Sequence, residues 1–274
     1  MLSQLNRLTL TKPFSRAYQF RELLQKMTKR AILARYRGSW LGIFWSLLTP
    51  LLLLLIYMFV FGVVFQTRWP QAGEGGGNFA PLLFCGIIVH LLFAEVLNTA
   101  PRLIVDNANY VKKVVFPLDI LSWISLGTAA FHFLVALFIL LVFVLFSNNG
   151  LSWTVLYVLP LTAIFLIHLL GMSWLVSACG VYIRDISYLA GFISTAMVFI
   201  SPVFYPSSAV KGAFAVVMDV NPLTFYIEAF RSVVVYGEPI ALADFSFAAF
   251  LSLLSFLIGF LFFERVKDGF ADVL

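Results

Sequence analysis

Long apolar runs dominate the pattern of hydrophobic and polar positions along this chain. Six runs approach or exceed the roughly 20 residues that a helix needs to cross the hydrocarbon core of a bilayer. Residues 51–61 are apolar without the alternation that is typical of a membrane β-strand, so the runs are predicted to be helices. The predicted spans are residues 43–65, 79–97, 120–146, 157–181, 186–204 and 245–263.

The composition places the chain in the membrane class. Hydrophobic residues make up 62% of its 274 residues and charged residues 11%, whereas soluble proteins carry about 25% charged residues. A soluble fold could not cover its surface with so few charges, and a disordered chain would be poor in aromatic residues. We therefore expect an all-α integral membrane protein with six transmembrane helices.

The basic residues predict the orientation of these spans. Fifteen of the 18 Lys and Arg fall in residues 1–42, in the loop 101–117, at Arg184 and in the C-terminal tail. Cytoplasmic segments carry such an excess, so both termini are predicted to be cytoplasmic. The same distribution favours a membrane surface over nucleic acid as the partner of the positive charge.

Residues 1–42 are predicted to form a cytoplasmic segment that contains an amphipathic helix at residues 15–34. Its apolar side is expected to face lipid and its cations the headgroups. A solvated basic tail is the alternative. The transmembrane domain is placed at residues 43–265, and residues 266–274 are expected to form a cytoplasmic tail.

The external stretch 205–244 is too apolar for an ordinary loop. Residues 209–220 and 223–236 are each too short to span and are predicted to be re-entrant half-helices that form an external gate. Helices lying on the periplasmic surface are the alternative. Glu228 and Arg231 stand three residues apart and are expected to pair, although Arg231 could instead bind a phosphate of the cargo. The predicted gate residues are Pro202, whose ring would provide a hinge, Asn221, Pro222, Glu228 and Arg231.

The sequence contains no recognisable catalytic or metal-binding motif. A P-loop ends in Lys followed by Ser or Thr, and no lysine of this chain has that successor. We therefore expect the chain to bind no cofactor and to hydrolyse no ATP by itself. Glu95, His90, His132 and His168 are interpreted as structural residues within the spans.

Five motifs, in order, resemble one family. They are Arg35 to Trp45 followed by Pro50, Asn107 to Pro117, Arg184-Asp185-Ile186, Ser201 to Tyr205, and Asn221-Pro222. Together they resemble the type 2 ABC transporter permeases, and above all the branch that exports polysaccharides such as O-antigen, capsule and teichoic acid.

The resemblance implies a homodimer in a bacterial inner membrane with two copies of a cytoplasmic nucleotide-binding subunit, which would hold ATP and Mg. It also implies a lipid-linked glycan as cargo. In this family the short helix of the 101–117 loop meets the ATPase subunit. The candidate coupling residues are therefore Asn109, Tyr110, Lys112, Lys113 and Phe116, although the two lysines could serve topology alone.

Aromatic residues recur at helical spacing in the first and fifth predicted spans. Aromatic rings can stack on sugar rings, so these faces are candidates for a translocation path, while lipid-facing or core positions are the alternative. A permease for a small hydrophobic drug or lipid, and a membrane-embedded glycan-modifying enzyme, are the alternative functions. The candidate path residues are Tyr57, Phe61, Phe65, Tyr188, Phe192, Thr195 and Phe199.

Overall fold

A computed structural model describes residues 12–64, 79–112, 116–147 and 150–274. Within these ranges every regular element is a helix, which confirms the prediction of an all-α membrane protein. The α-helices are α1 (Lys12–Gln19), α2 (Arg21–Tyr36), α3 (Trp45–Tyr57), α4 (Phe79–Thr99), α5 (Ala108–Lys112), α6 (Asp119–Ser147), α7 (Val158–Tyr182), α8 (Ile186–Ile200), α9 (Ala213–Val220), α10 (Pro222–Arg231), α11 (Leu242–Val266) and α12 (Phe270–Val273).

Five helical segments of the described ranges are long and apolar enough to cross a membrane. The fifth predicted span differs, because α8 has 15 residues and at 1.5 Å per residue reaches only about 22 Å. Its end was predicted at residue 204, but Ser201 is already extended, so the six-span count stays a prediction. The five long segments are Gly42–Val64, Phe79–Arg102, Asp119–Phe146, Trp153–Tyr182 and Leu242–Val273.

Helix α4 lies at the centre of the bundle. Most of its side chains are buried, and it packs against α6, α8 and α10. A second close contact joins α7 to α11, where Gly171 and Gly259 bring the two backbones together. Small residues permit this approach between membrane helices. The core is therefore built around α4 and the α7–α11 pair.

The N-terminal amphipathic region forms two helices, α1 and α2, that are separated at Phe20. On its apolar side, Phe20, Leu24 and Met27 are partly buried and pack against the core, while the expectation that this side also faces lipid stays a prediction. Helix α2 runs along α6, where Thr28 lies over Gly127. The missing side chain of that glycine allows the two helices to approach.

The two external half-helices have different surroundings. Helix α9 exposes Phe214, Val216 and Val220, whereas α10 is buried and packs against α4 and α7. Helix α10 continues as a π-helix over Ser232–Tyr236 and ends at Gly237, whose φ of 72° suits glycine. The second half-helix is therefore part of the bundle.

Candidate functional site

The predicted coupling loop between α4 and α6 is compact and mostly helical. Two 3₁₀ turns, Ala100–Arg102 and Val105–Asn107, lead into α5. The Asn107 side-chain amide donates to the Leu103 carbonyl at 2.9 Å and steadies the second turn. The loop therefore presents a short helix at one end of the bundle.

Four of the five predicted coupling residues lie in the described part of the chain. The rings of Tyr110 and Phe116 stack with their centroids 4.7 Å apart, which joins α5 to the end of the loop. Asn109 and Lys112 are exposed beside this stack. Lys113 lies outside the described residues. The stack thus fixes a helix whose exposed side carries an amide and a cation.

The coupling loop is anchored to the bundle by backbone contact and burial. The Pro101 carbonyl lies directly against Gly180 near the end of α7, where any side chain would collide with it. Ile104 is fully buried in the core. The C-terminal helix α12 contacts α5, and its own Phe270 is buried. A force applied to the loop would therefore reach α7 through close-packed atoms.

An ionic cluster joins the N-terminal helix to the same end of the bundle. Arg16 Nη1 lies 2.8 Å from Glu264 Oε1 at the end of α11 and 3.3 Å from Asp119 Oδ1 at the start of α6. Lys267 Nζ lies 2.6 Å from the same Glu264 oxygen. Burial alone would lower the pKa of Arg16, but its hydrogen bonds and charge interactions with Glu264 and Asp119 raise it overall. The guanidinium therefore stays charged and ties three helices together.

On the external side, Arg231 is held inside the protein. Its side chain is 0% exposed. Nε donates to the Leu82 carbonyl at 3.0 Å, Nη2 to the Val203 carbonyl at 2.8 Å, and Nη1 to Glu228 Oε1 at 3.2 Å. Arg231 and Glu228 thus form the ion pair that their spacing predicts. In this arrangement the guanidinium faces no solvent from which a phosphate could approach.

Asn221 and the two predicted gate prolines meet near the end of α8. The Asn221 side chain accepts from the Leu223 amide at 3.0 Å and so caps α10, whose first residue is Pro222. The Asn221 amide also donates to Ser201 Oγ at 2.9 Å, next to the buried Pro202. These contacts link the half-helices to the point where α8 ends.

The predicted path residues fall into two groups that both reach Phe204, whose ring centroid also lies 6.2 Å from that of Phe199 on α8. Tyr57 and Phe61 pack against Phe204, with centroids 5.4 and 4.9 Å away. Phe65 lies outside the described residues. On α8 the side chains of Tyr188, Phe192, Thr195 and Phe199 are exposed, and the Thr195 hydroxyl donates to the Gly191 carbonyl.

A polar cluster that the sequence interpretation missed lies between α2, α4 and α6. Arg35 Nη1 contacts Glu95 Oε1 and lies 3.2 Å from His132 Nδ1. His132 Nδ1 also lies 2.9 Å from Glu95 Oε1, and because a carboxylate only accepts, Nδ1 donates to it. The three residues were interpreted separately. The signal in the sequence was Glu95 itself, since an acidic residue inside an apolar run needs a partner.

Comparison with known proteins agrees with this architecture. Residues 22–235 match the ABC-2 type transporter family. The chain is 28% identical to the O-antigen export system permease protein RfbA of Myxococcus xanthus over 79% of this chain and 81% of that protein. It is 26% identical to an O-antigen export system permease protein RfbA of Klebsiella pneumoniae over 97% of this chain and 100% of that protein. The chain belongs to the ABC-2 type transporter family.

Proposed function

We propose that this chain is the transmembrane permease subunit of an ATP-driven exporter that moves a lipid-linked polysaccharide, of O-antigen or capsule type, out of the cytoplasm across the bacterial inner membrane. One observation carries the proposal: the relatives named as O-antigen export permeases align along nearly the whole chain. This similarity favours a polysaccharide over a small hydrophobic drug or lipid as cargo. It also favours a transporter over a glycan-modifying enzyme.

A separate nucleotide-binding subunit would bind ATP and Mg and dock on the coupling loop. The exposed Asn109 and Lys112 beside the Tyr110–Phe116 stack support this placement, since they give a partner a fixed polar surface. The contact of Pro101 with Gly180 supports transmission to α7. Lys113 is proposed to act with Lys112.

The functional assembly would be a homodimer with two nucleotide-binding subunits. Exposed apolar side chains on α3 and α8 support this assembly, because they leave an apolar surface on which a second copy could pack. Tyr57, Phe61 and Phe65 on one side and Tyr188, Phe192, Thr195 and Phe199 on the other are proposed to line the path between copies. On the external side, the segment from Pro202 to Arg231 is proposed to open as the glycan leaves.

Reconstitution tests the function. The purified chain alone should hydrolyse no ATP, and its complex with the nucleotide-binding subunit encoded in the same cell should hydrolyse ATP faster when lipid-linked glycan is added. Deleting the gene should remove the polymer from the cell surface while lipid-linked glycan accumulates inside. Normal surface polymer in the deletion strain would contradict the proposal.

The orientation is tested by cysteine labelling on a background without Cys85 and Cys179. With both termini in the cytoplasm, an impermeant thiol reagent should label Lys211→Cys in intact cells. Asn109→Cys should react only after the cells are opened. Labelling of Asn109→Cys in intact cells would contradict the predicted topology.

A further inference from the structure

A cavity of about 490 Å³ lies beside the Arg35–Glu95–His132 cluster. Its walls are formed by the end of α2 and by the helices α3, α4 and α6. Its volume falls within the roughly 300–1,000 Å³ that is typical of small-molecule sites. Tyr36 and Trp45 add aromatic rings to the lining. The cavity thus combines a charged cluster with aromatic and aliphatic surface.

The charges of this cluster largely neutralise one another. Arg35 and Glu95 form an ion pair, and His132 shares the same carboxylate. A phosphate entering beside Glu95 would meet a negative charge and would have to compete with it for Arg35. The cluster is therefore poorly suited to a phosphate or another anion.

The same cluster is well suited to hydroxyl groups. A carboxylate accepts hydrogen bonds, and a guanidinium carries five N–H donors. Arg35 contacts Glu95 and His132 through Nη1, and its side chain is 55% exposed, so the group retains donor capacity. Hydroxyls can donate to the carboxylate and accept from the guanidinium at once. Ser46 on α3 adds a hydroxyl to the lining.

Trp45 and Tyr36 supply the apolar part of such a site. Trp45 is 38% exposed, and Tyr36 packs edge-on against His132 with centroids 6.0 Å apart. A pyranose ring has polar edges and less polar faces. The aromatic rings can stack on its faces while the charged groups bind the hydroxyls at its edges. These groups lie on separate helices and are brought together only by the fold.

We propose that this cavity binds sugar residues of the cargo at the end of the bundle that carries the N-terminal helices. The inference rests on the proposed function, because it assumes that the cargo is a glycan. It goes beyond that function by assigning recognition to the sugar hydroxyls rather than to the lipid diphosphate. It also places recognition outside the aromatic faces of α3 and α8 that are proposed as the path.

Protection of a single cysteine tests the proposal. Thr49→Cys, on a background without Cys85 and Cys179, is assembled with the nucleotide-binding subunit in lipid nanodiscs and reacted with a small thiol reagent. The probes are the lipid-linked glycan extracted from the host cells and the same lipid diphosphate without sugars. At ten times its Kd a ligand fills about 90% of a site, so the glycan should slow labelling roughly tenfold.

The control is Leu52→Cys, which lies on the same helix outside the cavity and is 42% exposed. Its labelling should be unchanged by either probe. Equal protection of Thr49→Cys by the sugar-free lipid diphosphate would overturn the inference, as would protection by neither probe. If the glycan still stimulates ATP hydrolysis when Thr49→Cys is unprotected, the proposed function stands and only the sugar site fails.

A second substitution separates recognition from structure. Glu95→Gln removes the charge and keeps the shape of the side chain. In the Thr49→Cys protein it should raise the glycan concentration for half-protection roughly tenfold, since a hydrogen bond to a charged group is lost. Glu22→Gln, which changes an exposed residue on α2, should leave the glycan concentration for half-protection unchanged. An unchanged half-protection concentration in folded Glu95→Gln protein would overturn the proposal.

Discussion

Replacing Arg231 by alanine is the sharpest test of how the external half-helices are held. The guanidinium is buried and donates to the backbone carbonyls of Leu82 and Val203 as well as to Glu228. Its loss removes a charged donor from both carbonyls, and each lost hydrogen bond to a charged group costs roughly 1.5–3 kcal/mol. Water entering the vacated space would satisfy part of this need. We therefore expect the free energy of unfolding to fall by about 2–5 kcal/mol.

The ion pair contributes less than the two carbonyl contacts together. The Glu228 side chain is 30% exposed, so solvent screens part of the pair, but the Arg231 side chain is 0% exposed and would remain as a buried charge without its counter-charge. Glu228→Gln should therefore destabilise the protein, though by less than Arg231→Ala, and the Glu228→Gln/Arg231→Ala double variant should be as unstable as Arg231→Ala alone. The stability of Arg231→Lys should lie between those of the wild type and Arg231→Ala, because one ammonium cannot reproduce the guanidinium fork.

The assay combines thermal unfolding of the purified variants with surface polysaccharide measured per inserted protein. Lys211→Ala is the matched control, since Lys211 is an exposed cation of the same external segment. Export should fall in proportion to the loss of folded protein. Wild-type stability in Arg231→Ala would refute the structural reasoning. If stability were retained while export was lost, phosphate binding by Arg231 would be favoured instead.

Two further predictions concern the coupling loop and the α7–α11 contact. Replacing Lys112 and Lys113 together by alanine should reduce co-purification of the nucleotide-binding subunit and lower export; unchanged values with normal insertion would remove their coupling role. Gly259→Ala should lower the free energy of unfolding by about 1–3 kcal/mol, because its new methyl group would collide with the Gly171 carbonyl. Thermal unfolding of the purified protein measures the loss. Gly191→Ala has open space around it and should be neutral, so equal effects of the two would contradict this account.

The positions of the spans could be predicted from the sequence because a bilayer imposes a length on apolar runs. The third run, predicted at residues 120–146, is observed at Asp119–Phe146. The predicted end of the fifth run was wrong: residues 203 and 204 are apolar, but the backbone leaves the helix at Ser201. Apolar composition reports the surroundings of a segment and not its backbone conformation.

Contacts within one helix were predictable and contacts between helices were not. Glu228 and Arg231 lie three residues apart, so helical geometry alone predicts their pairing. Glu95 and His132 are 37 residues apart, and Arg35 is 60 residues from Glu95. Whether such residues meet depends on the tilt and relative height of the helices, which a single sequence does not encode locally. The polar cluster was therefore missed although each member was noted.

The cations of the N-terminal segment have a structural role beside the topological one that the sequence predicts. Arg16 pairs with Asp119 and Glu264, and Arg35 pairs with Glu95. All three carboxylates lie within or at the ends of membrane helices, where an unpaired charge is costly. These carboxylates are balanced by cations of the two N-terminal helices, Arg16 on α1 and Arg35 on α2. Phe20, Leu24 and Met27 of the same segment pack against the core, so ion pairs and apolar contacts together attach this segment to the bundle.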